Sequence, residues 1–439
     1  MSPSRNPDPS TASVPEDITG RPRRVVTGGI SLRNTFSALR YRNFRLFFYG
    51  QLISLTGTWM TTTAQGWLVY QLTGSKALLG VVAACASAPM LLFSTWGGWA
   101  ADRYPKRSVL VVTQISSMIQ SLAMAVLVWS GHVKPWQIIV IAIIGGVTMA
   151  FDMPTRQSFV IEMTSRKDLM NAISLNSSVF NAARIIGPSI AGVLMAKVGI
   201  AMCFFLDGIS FIAVISGLLM MRLPKHEPAP SEHGAIGQAL EGFRYVWNHP
   251  RPLTILALFA VVGIFGWSYS VLMPAFAHDV LHLGEQGYGM LMAASGIGAL
   301  LAALTVATAG QAFPSRVIAL GGVWIFSVAL ALFAFNRNLY LALMLLAISG
   351  FGIVLYFSTS NTVLQTIVPD EMRGRVMGIW TLVFGGMMPL GSLQAGFLAD
   401  LLGTPATIAI GALICALGAV VTLGVVRRRE ARQATSIAA

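Results

Sequence analysis

Apolar stretches of twenty or more residues with few charges recur along this chain about every 30 to 35 positions, the length and spacing that membrane-crossing helices require. The pattern predicts spans at 45–70, 77–101, 108–130, 136–154, 171–196, 200–221, 253–278, 288–310, 316–335, 339–366, 376–402 and 405–426. The longest polar interruption lies between Arg222 and Pro252 and opens with Pro224, Pro228 and Pro230. Beyond those prolines, Ile236, Leu240, Phe243 and Val246 or Trp247 recur at helical spacing, which predicts an amphipathic helix on the membrane surface. The interruption divides the spans into two groups of six, and a weak internal repeat supports the division. Arg156, Asp168, Arg184, Gly187, Pro188 and Gly192 are followed in similar order by Asn361, Asp370, Arg373, Gly385, Pro389, Gly391 and Gly396.

The expected fold is therefore all-α, with twelve transmembrane helices in two pseudo-symmetric six-helix bundles. Its expected parts are a disordered basic tail and juxtamembrane segment (1–43), a first bundle (44–221), a linker with the amphipathic helix (222–252), a second bundle (253–426) and a basic C-terminal tail (427–439). Composition agrees: 55% of the 439 residues are hydrophobic and 11% charged, against about 25% charged in soluble domains. The net charge of +13 would otherwise raise nucleic acid as a partner, but the positions of the charges exclude it. Lys76, Lys134, Lys197 and Arg337 fall on one side of the spans, Arg184 falls inside one, and the remaining 25 of the 30 Lys and Arg fall on the other side. That asymmetry is the positive-inside rule, and it places both termini in the cytoplasm. Residues 1–30 contain no apolar core of a signal peptide, so the first span is expected to act as the targeting signal. Cys85, Cys203 and Cys415 lie within apolar segments without paired spacing and read as small core residues.

Between the second and third predicted spans the chain reads Gly98-Trp99-Ala100-Ala101-Asp102-Arg103-Tyr104-Pro105-Lys106-Arg107. This resembles the short loop signature of the major facilitator superfamily, departing from it at Pro105 and Lys106. The counterpart in the second group, Gly310 to Arg316, lacks the aspartate. The resemblance implies a gating role for Gly98, Asp102, Arg103 and Arg107, in a contact that closes the cytoplasmic side in one conformation. The local alternative is that Asp102 caps the next helix and the basic residues only set topology.

Asn43-Phe44-Arg45, Gly50-Gln51, Gly57-Thr58-Trp59, Trp67-Leu68-Val69-Tyr70, Pro154-Thr155-Arg156-Gln157 and Arg184-Ile185-Ile186-Gly187-Pro188 make the chain similar to the bacterial branch that includes the enterobactin exporter and macrolide-efflux proteins. The resemblance implies a protein of the bacterial inner membrane. Proton-coupled drug antiporters carry an arginine in the fourth span, whereas Ile138 to Met149 is uncharged here, so their coupling residues do not transfer. Gly187, Pro188 and Gly192 resemble the exporters' Gly-Pro motif, and a Gly-Pro within a membrane helix also marks a bend.

Polar residues within spans are costly unless they pair or line a cavity. Ser174, Ser177, Asn181, Arg184 and Pro188 share one face of the fifth span. Arg184 costs about 2.5–3.5 kcal/mol to insert and should have a partner. Asp207 in the sixth span is the expected one, roughly 10 Å away in depth. The alternative to a cargo or coupling role for Arg184 is a structural ion pair locking the two spans. Asp152 and Arg156, at i and i+4, are expected to pair locally. Gln51, Ser54, Thr58, Thr61 or Thr62 and Gln65 form a second stripe beside Trp59. The resemblance implies a cavity lined by the first, fourth, seventh and tenth spans, which adds Trp267, Ser270, Tyr356, Thr359 and Asn361. Any single hydroxyl could equally bond helix to helix.

His278 and His282 have metal-compatible spacing without a third ligand nearby, and no catalytic set or phosphate-binding loop is present, so neither metal nor cofactor is expected. The reading is a monomeric secondary active exporter of an amphipathic small molecule such as a drug or siderophore, working by alternating access within membrane lipid. Proton antiport is inherited from the resemblance, with Asp207, Asp152 and Asp102 as candidates. A lipid or metabolite flippase or uptake carrier of the same fold is the alternative, and a membrane-embedded enzyme or non-transporting sensor the remote one.

Overall fold

A computed structural model describes residues 36–165, 167–222, 235–310 and 312–438. The expected N-terminal tail and the proline run of the linker lie largely outside the described residues. A tight turn at Ser37–Arg40 leads into α1 (Arg42–Thr73), α2 (Lys76–Arg103), α3 (Lys106–Trp129), α4 (Pro135–Glu162), α5 (Leu169–Lys197) and α6 (Ile200–Leu219). After the linker come α7 (Ala235–Asn248), α8 (Pro250–Val261), an irregular stretch to Val280, α9 (Glu285–Ala309), α10 (Ser315–Phe335), α11 (Leu339–Ile367), α12 (Asp370–Leu402) and α13 (Thr404–Ala438).

Among the described residues, ten helices are long and apolar enough to cross a membrane, and α7 with α8, bent by 106°, gives an eleventh if taken as one. The 32-residue α1 falls outside that set because Gln51, Ser54, Thr58, Thr61 to Thr63 and Gln65 dilute its apolar character. Helix ends follow the local chemistry. Gly74 stops α1 at φ 61°, its N–H returning to the Tyr70 carbonyl at 2.8 Å, a left-handed geometry that disfavours a side chain. The Ser75 hydroxyl then caps α2 by accepting from the Leu78 N–H at 3.1 Å.

The seventh span is not the continuous helix expected at 253–278. Wide turns at Val262–Gly266 give way to a tight turn at Trp267–Ser270 and wide turns again at Phe276–Val280. Broken backbone at membrane depth is sustained where it is buried or lines a cavity. The last helix continues to Ala438 through the expected C-terminal tail.

The leading helices, α1 to α6, pack chiefly among themselves, and so do the trailing helices, α8 to α13; the principal crossings are α2 with α12 and α5 with α9. Glycines permit those crossings. A Cβ on Gly396 would lie 2.7 Å from the Lys76 carbonyl and 2.9 Å from the Gly80 Cα; one on Gly289 would lie 2.8 Å from the Gly192 Cα. Both contacts lie toward the loops at 74–75 and 403, called here the far end, opposite the basic end that carries Arg103 to Arg107. Toward the basic end, added methyls on Gly98 of α2 and on Gly374, Gly378 and Gly385 of α12 would meet nothing within 4 Å. Helices α2 and α12 touch at one end and part toward the other.

At the basic end, α7 presents exposed Leu240, Phe243 and Trp247 and is tied to α12 by a 2.8 Å Glu241–Arg375 ion pair. The entry to α1 is fixed by Asp168, which accepts hydrogen bonds from the hydroxyls of Tyr41 and Ser37, each at 2.8 Å, and pairs with Arg40. These hydroxyls, then the Arg40 guanidinium, hold the Asp168 carboxyl below its ordinary value. A depressed carboxylate contributes stability above its unfolded value, and that contribution is lost as pH falls from about 3.8 through the folded value. Asp168→Asn should therefore speed amide exchange in residues 36–44 at pH 7, and the difference from wild type should vanish in acid; equal exchange at pH 7 would show that the cluster does not anchor α1.

Candidate functional site

A cavity of about 380 Å³ lies where the leading and trailing helices meet. Its walls come from α1 (Trp59, Thr62, Gln65), α2 (Val82, Ala86), α5 (Arg184, Pro188), the broken seventh span (Trp267, Ser270, Met273), α9 (Tyr288, Ser295) and α12 (Met388). Arg184 reaches into it with its guanidinium carbon 5.8 Å from the Trp59 ring centre and 5.5 Å from that of Trp267, within cation–π range of both. Each indole is backed by another ring: Trp59 by Phe180 at 5.6 Å and Trp267 by Phe357 at 5.9 Å. Gly187 allows α1 so close that its own Cβ would stand 2.6 Å from the Trp59 Cβ. The tight turn of the seventh span presents Trp267 from the trailing side.

A second cavity, of about 300 Å³, adjoins the first through Thr62, Gln65 and Ala86, and lies among α1, α3, α4 and α6. It is the more polar of the two, with Thr58, Gln114, Gln120, Asp152, Arg156 and Asp207 on its walls. Asp152 pairs with Arg156, as their spacing predicts, and accepts from Thr113 at 2.9 Å and Gln114 at 2.8 Å. Arg156 also bonds the Gln51 side chain, joining α4 to α1. Asp207 accepts from Ser121 at 2.5 Å and Thr61 at 3.3 Å, while its other oxygen lies against Gly57, whose absent side chain makes the room.

The expected Arg184–Asp207 pair does not form. Arg184 points from α5 into the space between the two helix sets, whereas Asp207 points from α6 into the leading set, where α1 and α3 donate to one of its oxygens and the other is buried without a partner. Tyr356 also departs from expectation. It is 1% exposed, packed where α11 crosses α10 at Gly322, and its neighbour Phe357 is the α11 residue behind Trp267. Thr359 is buried, and neither it nor Asn181 nor Asn361 lines these cavities; Asn181 donates to the Ser177 carbonyl and Asn361 accepts from Gln365. Ser174 likewise turns back onto the carbonyl of Met170. Helix α5 runs unbroken through Pro188, and Gly187 and Gly192 serve as approach points for α1 and α9. In the loop signature, Asp102 and Arg103 are exposed, Arg103 lies over Trp99 at 5.7 Å, and Arg107 bonds the Met221 carbonyl at 3.2 Å. Just before the signature, α4 approaches α2 at Gly97, whose added Cβ would meet the Ala150 carbonyl oxygen at 2.0 Å, whereas one on Gly98 would meet nothing within 4 Å.

The far end carries polar contacts that the sequence reading missed. Both carboxylate oxygens of Asp400 on α12 cap α2, accepting from the backbone N–H of Lys76 at 3.0 Å and of Ala77 at 3.1 Å. Asp279 accepts from the Tyr70 hydroxyl at 2.6 Å and pairs with Lys76 at 3.5 Å, and Glu285 accepts from the Trp67 indole at 3.2 Å. His278 sits beside Asp279 and the rings of Trp67 and Tyr70. One signal was available: Gly396-x-x-Ala399-Asp400 repeats the spacing of Gly98-x-x-Ala101-Asp102.

Residues 33–438 match the family model described as transmembrane secretion effector. The chain belongs to that family, a branch of the major facilitator superfamily. Among curated relatives, the multidrug efflux pump Tap of Mycolicibacterium fortuitum is 32% identical over 396 residues, covering 88% of this chain and 96% of the relative. The staphyloferrin A transporter of Staphylococcus aureus is 27% identical, covering 83% and 92%. The enterobactin exporter EntS of Shigella boydii is 26% identical, covering 77% and 80%. Among solved structures, the inward-facing, occupied bacterial homologue of the human lysosomal transporter Spinster superposes with a TM-score of 0.72 at 14% identity, covering 88% of this chain and 97% of that one. The nucleoside transporter NupG does so at 0.68 and 14%, covering 88% and 98%. These structures share the fold. The family makes this chain a multi-pass membrane transporter rather than an enzyme.

The far-end contacts give a direct test. Losing the charge-assisted cap in Asp400→Asn, or adding a clash in Gly396→Val, should free the far end and shift the open population by roughly ten-fold. With Cys85, Cys203 and Cys415 replaced, labelling of a Gln65→Cys reporter by an impermeant maleimide applied from the far side should rise accordingly. Unchanged labelling in both variants would show that neither contact holds this end shut.

Proposed function

We propose that the chain is a secondary active exporter with twelve spans in two six-helix bundles, approximately 44–221 and 253–426, which expels an amphipathic small molecule by alternating access. The carrying observation is the cavity around Arg184, whose aromatic walls come from both helix sets and which lies beside the closed far end. On this reading α1 and the broken seventh span are membrane crossings. The basic end faces the cytoplasm of a bacterium with both termini inside, as the positive-inside rule favours. On this reading the state is inward-facing, which an exposed Asp102 and an engaged Asp400 support. The names of the relatives, a drug efflux pump and a siderophore exporter, support export of an organic molecule.

Asp207 is the proton carrier on this reading. It is 2% exposed, has hydroxyl donors and no cation among the described residues, and shares the walls of the second cavity, which adjoins the cargo space. Protonation there would change how α6 bonds α1 and α3 and so couple to the leading helices. Asp152, held by Arg156, serves structure. Asp102, Arg103, Arg107 and Gly98 would close the basic end in the opposite state.

Purified protein in liposomes, given an imposed proton gradient and a panel of amphipathic drugs and siderophores, tests the reading. Wild type should move at least one compound in a gradient-dependent manner. Asp207→Asn should abolish the gradient dependence while retaining exchange, and folded Arg184→Ala should lower the rate by about ten-fold or more. Movement indifferent to the gradient would remove proton coupling; movement of lipid alone would replace export with flipping.

A further inference from the structure

The carboxylates in the spans and at their far ends are engaged elsewhere. Asp152 is held by Arg156, Asp207 by Ser121 and Thr61, Asp279 by Tyr70 and Lys76, Glu285 by Trp67, and Asp400 by the start of α2. Among the described residues none forms an ion pair with Arg184, whose close partners are the faces of Trp59 and Trp267. Two indoles attract a cation through their ring quadrupoles but offer its N–H donors no acceptor in the guanidinium plane, and none is supplied among the described residues. A charge at membrane depth without an anion is costly, and a cavity beside it is the place from which an anion can come. The neighbouring wall is apolar, with Val82, Met273 and Met388 close at hand. The volume of about 380 Å³ falls within the range of small-molecule sites.

We infer that Arg184, held between Trp59 and Trp267, docks an anionic group of the cargo, so that the transported class is organic amphiphiles bearing a carboxylate or a similar planar oxyanion. The guanidinium offers parallel N–H donors to two oxygens in one plane, a geometry that an ammonium on a lysine does not reproduce. Trp59 comes from the leading helices and Trp267 from the trailing ones, so the anion is gripped where the two sets meet. This rests on the transporter reading for the word cargo; the anion site itself does not.

The test uses the full chain in phosphatidylcholine nanodiscs and matched probes that differ only in charge: 2-naphthoate, 2-naphthamide and naphthylmethylammonium. Thermal stabilisation and quenching of tryptophan fluorescence report binding. 2-Naphthoate should bind wild type about ten-fold or more tightly than 2-naphthamide, the scale of a charge-assisted bond in a desolvated site. Folded Arg184→Gln should erase that preference, leaving 2-naphthoate and 2-naphthamide with equal affinity, and Arg184→Lys should retain only part of it. A carboxylate that binds no better than the amide, including the case where neither binds, overturns the inference, as does a preference that survives in Arg184→Gln. Repeating the titration in phosphatidylglycerol nanodiscs separates sources. Competition from the anionic lipid that depends on Arg184 supports an anion site whose occupant includes a headgroup, whereas competition that persists in Arg184→Gln places the anion elsewhere and counts against it. If naphthoate binds as expected but moves in no liposome assay, the anion site stands and the transporter reading is the one that fails.

Discussion

Backbone against backbone, at Gly80 with Gly396 and Gly192 with Gly289, is the contact on which the rest of this architecture depends. Lipid gives apolar helices no reason to prefer one another, so membrane helices associate through close packing and hydrogen bonds. Residues without a side chain allow that packing at the far end. Because it is confined there, α2 parts from α12 toward the basic end, and the space they leave becomes a cavity with walls from both helix sets. The aromatic pair around Arg184 lies beside the junction, where residues far apart in sequence come within a few ångströms.

Polar groups in the bilayer have two fates in this molecule. Most are consumed locally. The hydroxyls of Thr56, Thr58, Thr62 and Thr63 bond carbonyls one turn back on α1, and Asp152 is enclosed by donors from its own helix and from α3. Such groups lower the apolar character of a helix, and their hydrogen bonds are already made even where, as at Thr62 and Asp152, they face a cavity. Arg184 differs because its surroundings supply aromatic faces and no carboxylate. A polar residue in a membrane helix is thus functional according to what its neighbours leave unfinished, which composition alone does not reveal.

The helical elements were legible because apolar length and turn chemistry are local properties. The Asp152–Arg156 pair was legible for the same reason, being one turn apart on one helix. Arg184 was visible as an isolated charge, yet its partner was misassigned because depth along the bilayer normal can be counted from residue rise, whereas the direction in which a helix faces cannot. Tyr356 and Phe357 illustrate the limit: adjacent residues on α11 point about 100° apart, and the tyrosine enters the core while the phenylalanine backs Trp267. The break in the seventh span left little trace, since Gly263, Gly266 and Pro274 are tolerated in straight membrane helices as well. Asp400 lay in plain view at the spacing of Asp102, but its meaning required knowing that α12 ends beside the start of α2.

Under the proposed alternating access, that last juxtaposition would make α2 and α12 a seesaw. Helices of 28 and 33 residues are long enough to cross a bilayer, and between their touching and parted ends Gly386 approaches the Leu91 side chain, where an added methyl would lie 3.4 Å away. Rotation about such a midpoint brings one pair of tips together only by lifting the other pair apart. In the alternating-access cycle proposed above, the carboxylate at the far tip of α12 and the one at the basic tip of α2 would act as catches on opposite arms of one beam. On that proposal, a carrier built on such a beam would admit its passenger through one door at a time, and the membrane would never be left with a through-going leak.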